Sequence, residues 1–585
     1  MSRLLSLLLA PAFGAIAALG FAPLDLWPLT LLGLAGLMWL VGGARGPWAA
    51  AGRGWLFGTA MFAVSLNWIA FAFSFQSKMD PALGWAAVLG LAAYLALFAA
   101  LPAGLAAALV RAPGALLPRS LAMAGLWVPV EWLRGYALTG FAWNPLGAIW
   151  LPLPGMAQLA APLGAIGLSL ITLLLAAALL WIARGPGLRS RIAGGAVAAS
   201  VVAAGVLGQF AIRDGELASA TLVVVQPGIG QGERYDAAAA ERHLATYLAL
   251  TREALARSET MGRVELPDAR IREVDPGAVE GIDSPLGPLT GQVTGDLDMP
   301  LDAALAPPPE PEVMPSTGEN QEPAAARIAE RRPVVVLWPE GALDDLPERD
   351  AGLRARLAAL LAKGDVLLTG GTGIGSGATP YANSLFVIAD DGRIIGRYDK
   401  AHLVPGGEYL PWRDLLEPLG LARLVPGDFD FAAGPGPVTL AVPGFLGVSP
   451  VICYEIAFPG AVTDPDRRPG WIANVSNDAW FGPWGPPQHL AQARLRAIEE
   501  GLPVVRATPT GISAVIDGHG RLLASLPAQA QGALVAGLPP PLPVPLFARL
   551  GPWPALIAAL LCMALGWALA RAGVAVNRSA SAKAI

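Results

Sequence analysis

The sequence predicts a polytopic α-helical membrane protein of about eight spans that carries one water-exposed α/β domain. Three observations lead there. Mean hydropathy is +0.51, and 54% of the 585 residues are apolar while 15% are charged, a balance foreign to ordinary water-soluble domains. The apolar residues are segregated into long stretches before roughly residue 213 and one more near the C-terminus, with a polar region between them that alternates short β-type runs and helical ones. The arginines of the short loops also alternate in side, as spans require.

The first spans are expected near Leu4–Phe21, Trp27–Val41, Trp55–Phe73, Gly84–Val110, Leu121–Leu138, Leu163–Ile182 and Ala193–Ile212. Each is long enough, or nearly so, for a hydrocarbon core of about 30 Å. The N-terminal stretch looks like a cleaved signal, but the spans behind it argue that it is retained. Arg3, Arg45, Arg53, Arg111, Arg119, Arg184, Arg189 and Arg191 fall on one side, against Lys78 and Arg134 on the other. That bias puts the N-terminus in the cytoplasm and, after seven spans, the polar region on the far side. An eighth span near Trp553–Leu569 returns the tail, with Arg571, Arg578 and Lys583, to the cytoplasm. The expected domains are 1–215, 216–550 and 551–585.

Within 216–550 the strands are read from "ATLVVVQP", "PVVVLWPE", "DVLLTGG", "SLFVIAD", "LGVSPVICYE" and "GWIANVSN", with helices over Ala237–Ala256 and His489–Glu500. Residues 259–330 break the pattern. They hold 15 acidic residues against 4 arginines and runs such as "APPPEPEVMP", and read as a loosely ordered insertion.

Composition also narrows function. A net charge of −5 gives no sign of a nucleic-acid partner. The two cysteines, Cys453 and Cys562, are too far apart in context to suggest a disulfide, and with four scattered histidines they make no zinc pattern. No metal or cofactor is expected; "TGGTGIGSG" lacks the Lys-Ser/Thr ending of a phosphate loop and reads as a turn.

Reactive side chains gather at strand ends, where a sheet can hold them in register. "VVVLWPE" ends on Glu340, "GRYDKAHLVPGGEYLP" offers Lys400 and Glu408, and "PVICYE" holds Cys453. A free thiol, with a pKa near ~8.5, is a poor nucleophile until a base takes its proton. A carboxylate can do that, and a lysine can stabilise the thiolate and an oxyanion. Singly, each has a plainer reading: a small buried hydrophobe, a solvated loop residue, a surface charge.

In this order near strand ends, Glu340, Lys400 and Cys453 resemble the Glu–Lys–Cys triad of the nitrilase superfamily. That resemblance implies an α-β-β-α sandwich and thioester chemistry at carbon–nitrogen bonds. The stretches "WPEGA", "ICYEI", "SNDAWFG", "QHLAQARLRAIE" and "TGISAVID", with "GFAPLDLWPL" and "TGFAWNPLG" in the membrane part, are similar to the apolipoprotein N-acyltransferase family of Gram-negative bacteria. The 259–330 insertion is the main departure. By this resemblance Cys453 is the nucleophile, Glu340 the general base and Lys400 the oxyanion stabiliser. Glu408, Tyr454, Glu455 and Asn383 support the site, and Tyr235 and Trp480 contact substrate. The implied partners are a phospholipid acyl donor and a diacylglyceryl apolipoprotein acceptor, in the bacterial inner membrane with the catalytic domain periplasmic.

Several residues keep plainer readings. Trp480 and Trp484 suit an acyl-chain entrance or a membrane rim; Glu131 and Arg134 read as an interfacial pair or as solvated charges rather than as contacts to a phospholipid headgroup; His402 receives no role. A tethered amidase acting on a soluble amide, and a transporter or scaffold with an inactive domain, are the competing functions.

Overall fold

A computed structural model describes residues 3–75, 80–112, 114–185, 187–213, 220–234, 238–261, 333–375, 379–419, 423 and 429–583. The expected 259–330 insertion therefore lies almost wholly outside the described residues, as does Tyr235.

Each expected span falls on helix, but among the described residues only four helices are long and apolar enough to cross a membrane: Leu83–Leu109, Ala160–Arg184, Leu188–Ala211 and Trp553–Ala572. A fifth is bent, Pro47–Ser65 meeting Ile69–Phe75 at 52°, so the continuous span expected over Trp55–Phe73 is broken. Leu4–Ala18 and Trp27–Gly42 are apolar but shorter. Leu116–Arg134 carries Arg119, Glu131 and Arg134. Gly125 lets this last helix meet the C-terminal one, since a Cβ there would come within 2.3 Å of the Ala559 carbonyl oxygen.

Arg119, expected as a loop charge, is 2% exposed. Its Nε donates to the Val110 carbonyl at 2.8 Å, and its Nη1 to those of Val41, Gly42 and Ala44 at 2.9–3.0 Å. These carbonyls lie at the C-terminal ends of two helices, where no intrahelical donor is left. One guanidinium satisfies them, which is why a charge is tolerated there.

The polar region folds as two sheets. β1 (Thr221–Gln226), β2 (Val334–Leu337), β3 (Val366–Ile374), β4 (Tyr381–Ala389), β5 (Ile394–Asp399) and β6 (Phe431–Ala432) share the first. β7 (Val448–Ile452), β8 (Trp471–Val475), β9 (Val504–Ala507), β10 (Ser513–Ile516) and β11 (Leu522–Leu526) make the second, and β12 (Gly532–Gly537) returns to the edge of the first beside β1. All six strands read from sequence are present. The "TGGTGIG" run, expected as a turn, is mostly strand: it continues β3 and pairs antiparallel with β4 through Ile374 opposite Tyr381.

Alternation explains the layers. Leu222, Val224, Val335 and Leu337 face Trp471, Ala473, Val475 and Val505 across the inter-sheet core. Val223, Val225, Val334 and Val336 point outward, onto helices Ala240–Met261 and Ala351–Ala358. On the other outer face, Val451, Ile472 and Val504 pack under Leu490, Ala493 and Ala497 of helix Gly485–Glu500. The result is the α-β-β-α order.

Helix Gly485–Glu500 also joins this sandwich to the membrane helices. The Gln488 side-chain oxygen accepts from Trp68 Nε1 (3.2 Å), Trp143 Nε1 (2.9 Å) and Asn144 Nδ2 (3.0 Å), while its Nε2 donates to the carbonyls of Ala22 and Ser65. Glu499 accepts from Ala165 N at 2.6 Å, just after Gly164, whose φ of 70° breaks the Ala160–Arg184 helix. A carboxylate thus caps a freed helix N-terminus.

Replacing Gln488 with Leu leaves three buried donors without an acceptor, at about 1–3 kcal/mol each. Thermal unfolding of the detergent-solubilised protein is expected to shift downward by several degrees; an unchanged midpoint would refute this account of the junction.

Candidate active site

Three strand ends converge. β2 closes at Leu337, and the chain passes through Trp338 and Pro339 to Glu340; β5 ends one residue before Lys400; β7 ends one residue before Cys453. Trp338 anchors its segment by donating to Thr251 Oγ1 at 3.0 Å. Gly370 of β3 makes the approach possible, because a Cβ there would sit 2.5 Å from the Glu340 Cα. Lys400 is held through its backbone, its N–H bonding Asn383 O and its carbonyl accepting from Gly434 N, both at 2.8 Å.

The side chains form one buried cluster. Glu340, Lys400, Glu408 and Cys453 are 8%, 1%, 4% and 6% exposed. The Lys400 ammonium lies 2.9 Å from Glu408 Oε2 and 3.5 Å from Glu340 Oε1. Asn383 Nδ2 donates to Glu340 Oε1 and Glu408 Oε1, each at 2.6 Å. The second oxygen of Glu340 accepts from Asn477 N at 2.7 Å, and that of Glu408 from Val404 N at 2.8 Å. Burial opposes the charge on Lys400, but Glu408 and Glu340 outweigh it and hold its pKa above the ordinary lysine value. Burial and the Glu340 carboxylate push the Cys453 thiol up, against the opposing pull of Lys400. The resting pair is therefore a neutral thiol beside a charged lysine.

Cys453 opens a turn of 3-10 helix, Cys453–Ala457, with φ of 51°. A non-glycine residue in this left-handed region costs about 1–3 kcal/mol and persists only where its surroundings impose it. Glu455, expected beside the nucleophile, supplies part of that imposition. It faces away from the cavity, accepting from Ile452 N (2.8 Å), Ala401 N (2.8 Å), His402 N (3.1 Å) and the Tyr398 hydroxyl (2.7 Å). One carboxylate thus ties the Cys453 segment to the Lys400 segment.

The lysine–carboxylate cluster and Cys453 line a cavity of about 1070 Å³. Glu340, Asn383, Lys400, Glu408, Cys453, Tyr454 and Trp480 form part of its wall; Trp68, Leu91, Tyr94 and Trp143 of the membrane part form another. Tyr454 also donates to Gly140 O at 3.2 Å. Trp484 does not line the cavity and packs against the membrane-helix cluster. His402 Nε2 lies 3.2 Å from Thr139 O, with its ring on Phe458.

Glu131 and Arg134 attract one another electrostatically, as the paired reading expects, but they are not solvated. They are 8% and 3% exposed. Glu131 accepts from Trp127 Nε1 and Ser169 Oγ, and Arg134 donates to Trp143 O. Sequence reasoning assigned no role to Asn477, Asp478, Gln488, His489 or Arg506, although the stretches "SNDAWFG" and "QHLAQARLRAIE" that hold four of them stood out. Among the described residues, no group of three or more His, Cys, Asp or Glu is placed to hold a metal ion.

Chemically, the cluster can move the thiol proton to a carboxylate and meet a developing oxyanion with an ammonium. Exchanging Glu340 for Gln removes a charge that raises the Cys453 pKa. At pH 8 the variant's Cys453 should therefore react faster with iodoacetamide while its acylation slows by at least about tenfold. Parallel changes in both rates would contradict the assignment of base and nucleophile.

Comparison with known proteins bears on the whole chain. Residues 13–178 match the apolipoprotein N-acyltransferase N-terminal domain, and residues 314–542 match the carbon-nitrogen hydrolase family. An apolipoprotein N-acyltransferase from Rhodopseudomonas palustris is 35% identical over 94% of this chain and 93% of its own. One from Bradyrhizobium diazoefficiens is 36% identical over 95% and 94%. Among solved structures, a CN-hydrolase superfamily protein from Xanthomonas campestris is 19% identical over 35% of this chain and 77% of its own, at a TM-score of 0.27, which adds nothing to the family match.

Proposed function

This chain belongs to the apolipoprotein N-acyltransferase family, and on that premise we propose that it moves a fatty acyl chain from a membrane phospholipid, through a thioester on Cys453, to the N-terminal α-amine of a diacylglyceryl apolipoprotein. It is an acyltransferase of lipoprotein biosynthesis; donor, intermediate and residue roles are the proposal. One observation carries it: a single cavity has Cys453, Lys400 and Glu340 on one wall and Trp68, Leu91 and Trp143 of the membrane helices on another. An apolar acyl chain can lie among the latter with its ester carbonyl beside the former.

Glu340 takes the thiol proton as the sulfur attacks the ester carbonyl. Lys400 stabilises the oxyanion, and the lysophospholipid leaves with the proton. The α-amine then attacks the thioester, its proton passes to Glu340 and on to the departing thiol, and an amide forms. Glu408 and Asn383 keep Lys400 charged and Glu340 oriented; Tyr454 and Trp480 shape the cavity near the sulfur. Tyr235 is a further substrate contact by resemblance alone. The arginine distribution supports an inner-membrane protein with this domain periplasmic and both termini cytoplasmic.

Given phospholipid and no amine, the protein should gain the mass of one acyl chain at Cys453, and a diacylglyceryl peptide should discharge it as N-acyl product. Cys453→Ala should abolish both steps, and Lys400→Met should slow loading on the order of 100–1000-fold. An adduct that survives Cys453→Ala, or discharges only to water, defeats the transferase reading; release of free acid from a small soluble amide would favour an amidase. For topology, a reporter fused after Ile212 is expected to be active in the periplasm and one at the C-terminus in the cytoplasm; the reverse result would overturn the placement.

A further inference from the structure

Against the Cys453 turn lies a second charged cluster that the chemistry above does not use. His489, Arg506 and Asp478 are 0%, 0% and 1% exposed. His489 sits on helix Gly485–Glu500, Arg506 on β9, and Asp478 in the loop after β8. Arg506 Nη2 donates to Asp478 Oδ2 at 2.6 Å. Ser476 Oγ donates to Asp478 Oδ1 at 2.8 Å. His489 Nδ1 is 2.8 Å from Asp478 Oδ1 and 3.0 Å from Arg506 Nη2, and its Nε2 is 3.0 Å from the Cys453 carbonyl oxygen.

The proton on Nε2 follows from chemistry. A carbonyl oxygen only accepts, so Nε2 carries hydrogen whatever the state of Nδ1. The contacts run from the Cys453 carbonyl through His489 to Asp478, and from there to Ser476 and Arg506. Burying an ion pair of this kind is a poor way to gain stability, because each charge loses its hydration. Its position is better explained by what it holds, which is the residue whose φ of 51° needs outside support. Trp143 and Phe481, both on the cavity wall, flank the imidazole with ring centroids 5.1 and 5.7 Å away, so the ring is confined from that side as well.

We propose that His489 is a positioning residue for the nucleophile. Through its Nε2–H bond to the Cys453 carbonyl it holds the left-handed backbone that aims the thiol, and the Asp478–Arg506 pair holds the ring. It touches neither substrate nor the reacting atoms. The inference rests on Cys453 being the acylated residue.

The test uses full-length protein in detergent micelles carrying Cys562→Ser, so that Cys453 is the one thiol. Acyl loading from dioleoyl phosphatidylethanolamine is followed by intact mass, and alkylation by iodoacetamide is followed in parallel. His489→Leu is expected to lower kcat for loading by about 10- to 100-fold with KM within about threefold, and to change the alkylation rate. His489→Gln, whose amide can still donate to the carbonyl, should recover most of kcat. If Leu does not fold, the comparison passes to Gln against Asn, which is one methylene too short. Unchanged kcat in the Leu variant, or equal losses in Gln and its shorter or apolar counterpart at equal melting temperature, would overturn the proposal. If the unsubstituted protein never loads an acyl group, the functional reading fails separately, while the alkylation rates still decide whether His489 sets the thiol.

Discussion

Everything in this molecule is arranged around a buried ammonium. Lys400 is 1% exposed, and an ammonium removed from water is costly unless counter-charge and acceptors replace its hydration. Two carboxylates provide them, and two adjacent carboxylates in turn need donors of their own. Asn383 bridges both, and the amides of Asn477 and Val404 take the remaining oxygens. The groups come from separate segments of both sheets. The cluster therefore exists only if the sheets are registered, and the sandwich is the device that registers them.

The same arithmetic sets the thiol. Burial disfavours a thiolate, and the Glu340 carboxylate adds to that against the pull of the Lys400 ammonium, so Cys453 rests protonated. A neutral thiol is less exposed to adventitious oxidation than a thiolate. In the proposed reaction it becomes a nucleophile when Glu340 takes its proton. The backbone supplies the rest: a left-handed residue at the strand end, braced on one side by Glu455 and on the other by His489.

A second constraint comes from the membrane. The cavity wall is shared between the sandwich and the apolar helices, so the two parts must dock in one relation. Polar bonds fix that relation where apolar packing alone would let surfaces slide. Gln488 clasps two indoles and an amide from the membrane part, and Glu499 caps the half-helix that starts at Ala165. The candidate site thus inherits its geometry in part from one helix that bonds to the membrane helices and packs on the sheet.

Sequence by itself determined what is local. Short apolar runs gave the six strands, and long ones gave the helices of the membrane part, because hydrophobic burial acts on stretches of neighbouring residues. Residue type at or near strand ends singled out Glu340, Lys400, Glu408 and Cys453, and the motif resemblance added Asn383 and Glu455. Only the tertiary structure decided what depends on distant partners. Gln488 meets Trp68 and Trp143 at separations of 420 and 345 residues. Arg119 turned from a loop charge into a buried clasp of helix ends, Glu131 and Arg134 gained hydrogen-bond partners beyond each other, and the glycine run became strand because β4 lay beside it. Such pairings leave no periodic trace in a chain; they exist because folding brings particular donors and acceptors within about 3 Å, and a linear pattern carries no information about which ones.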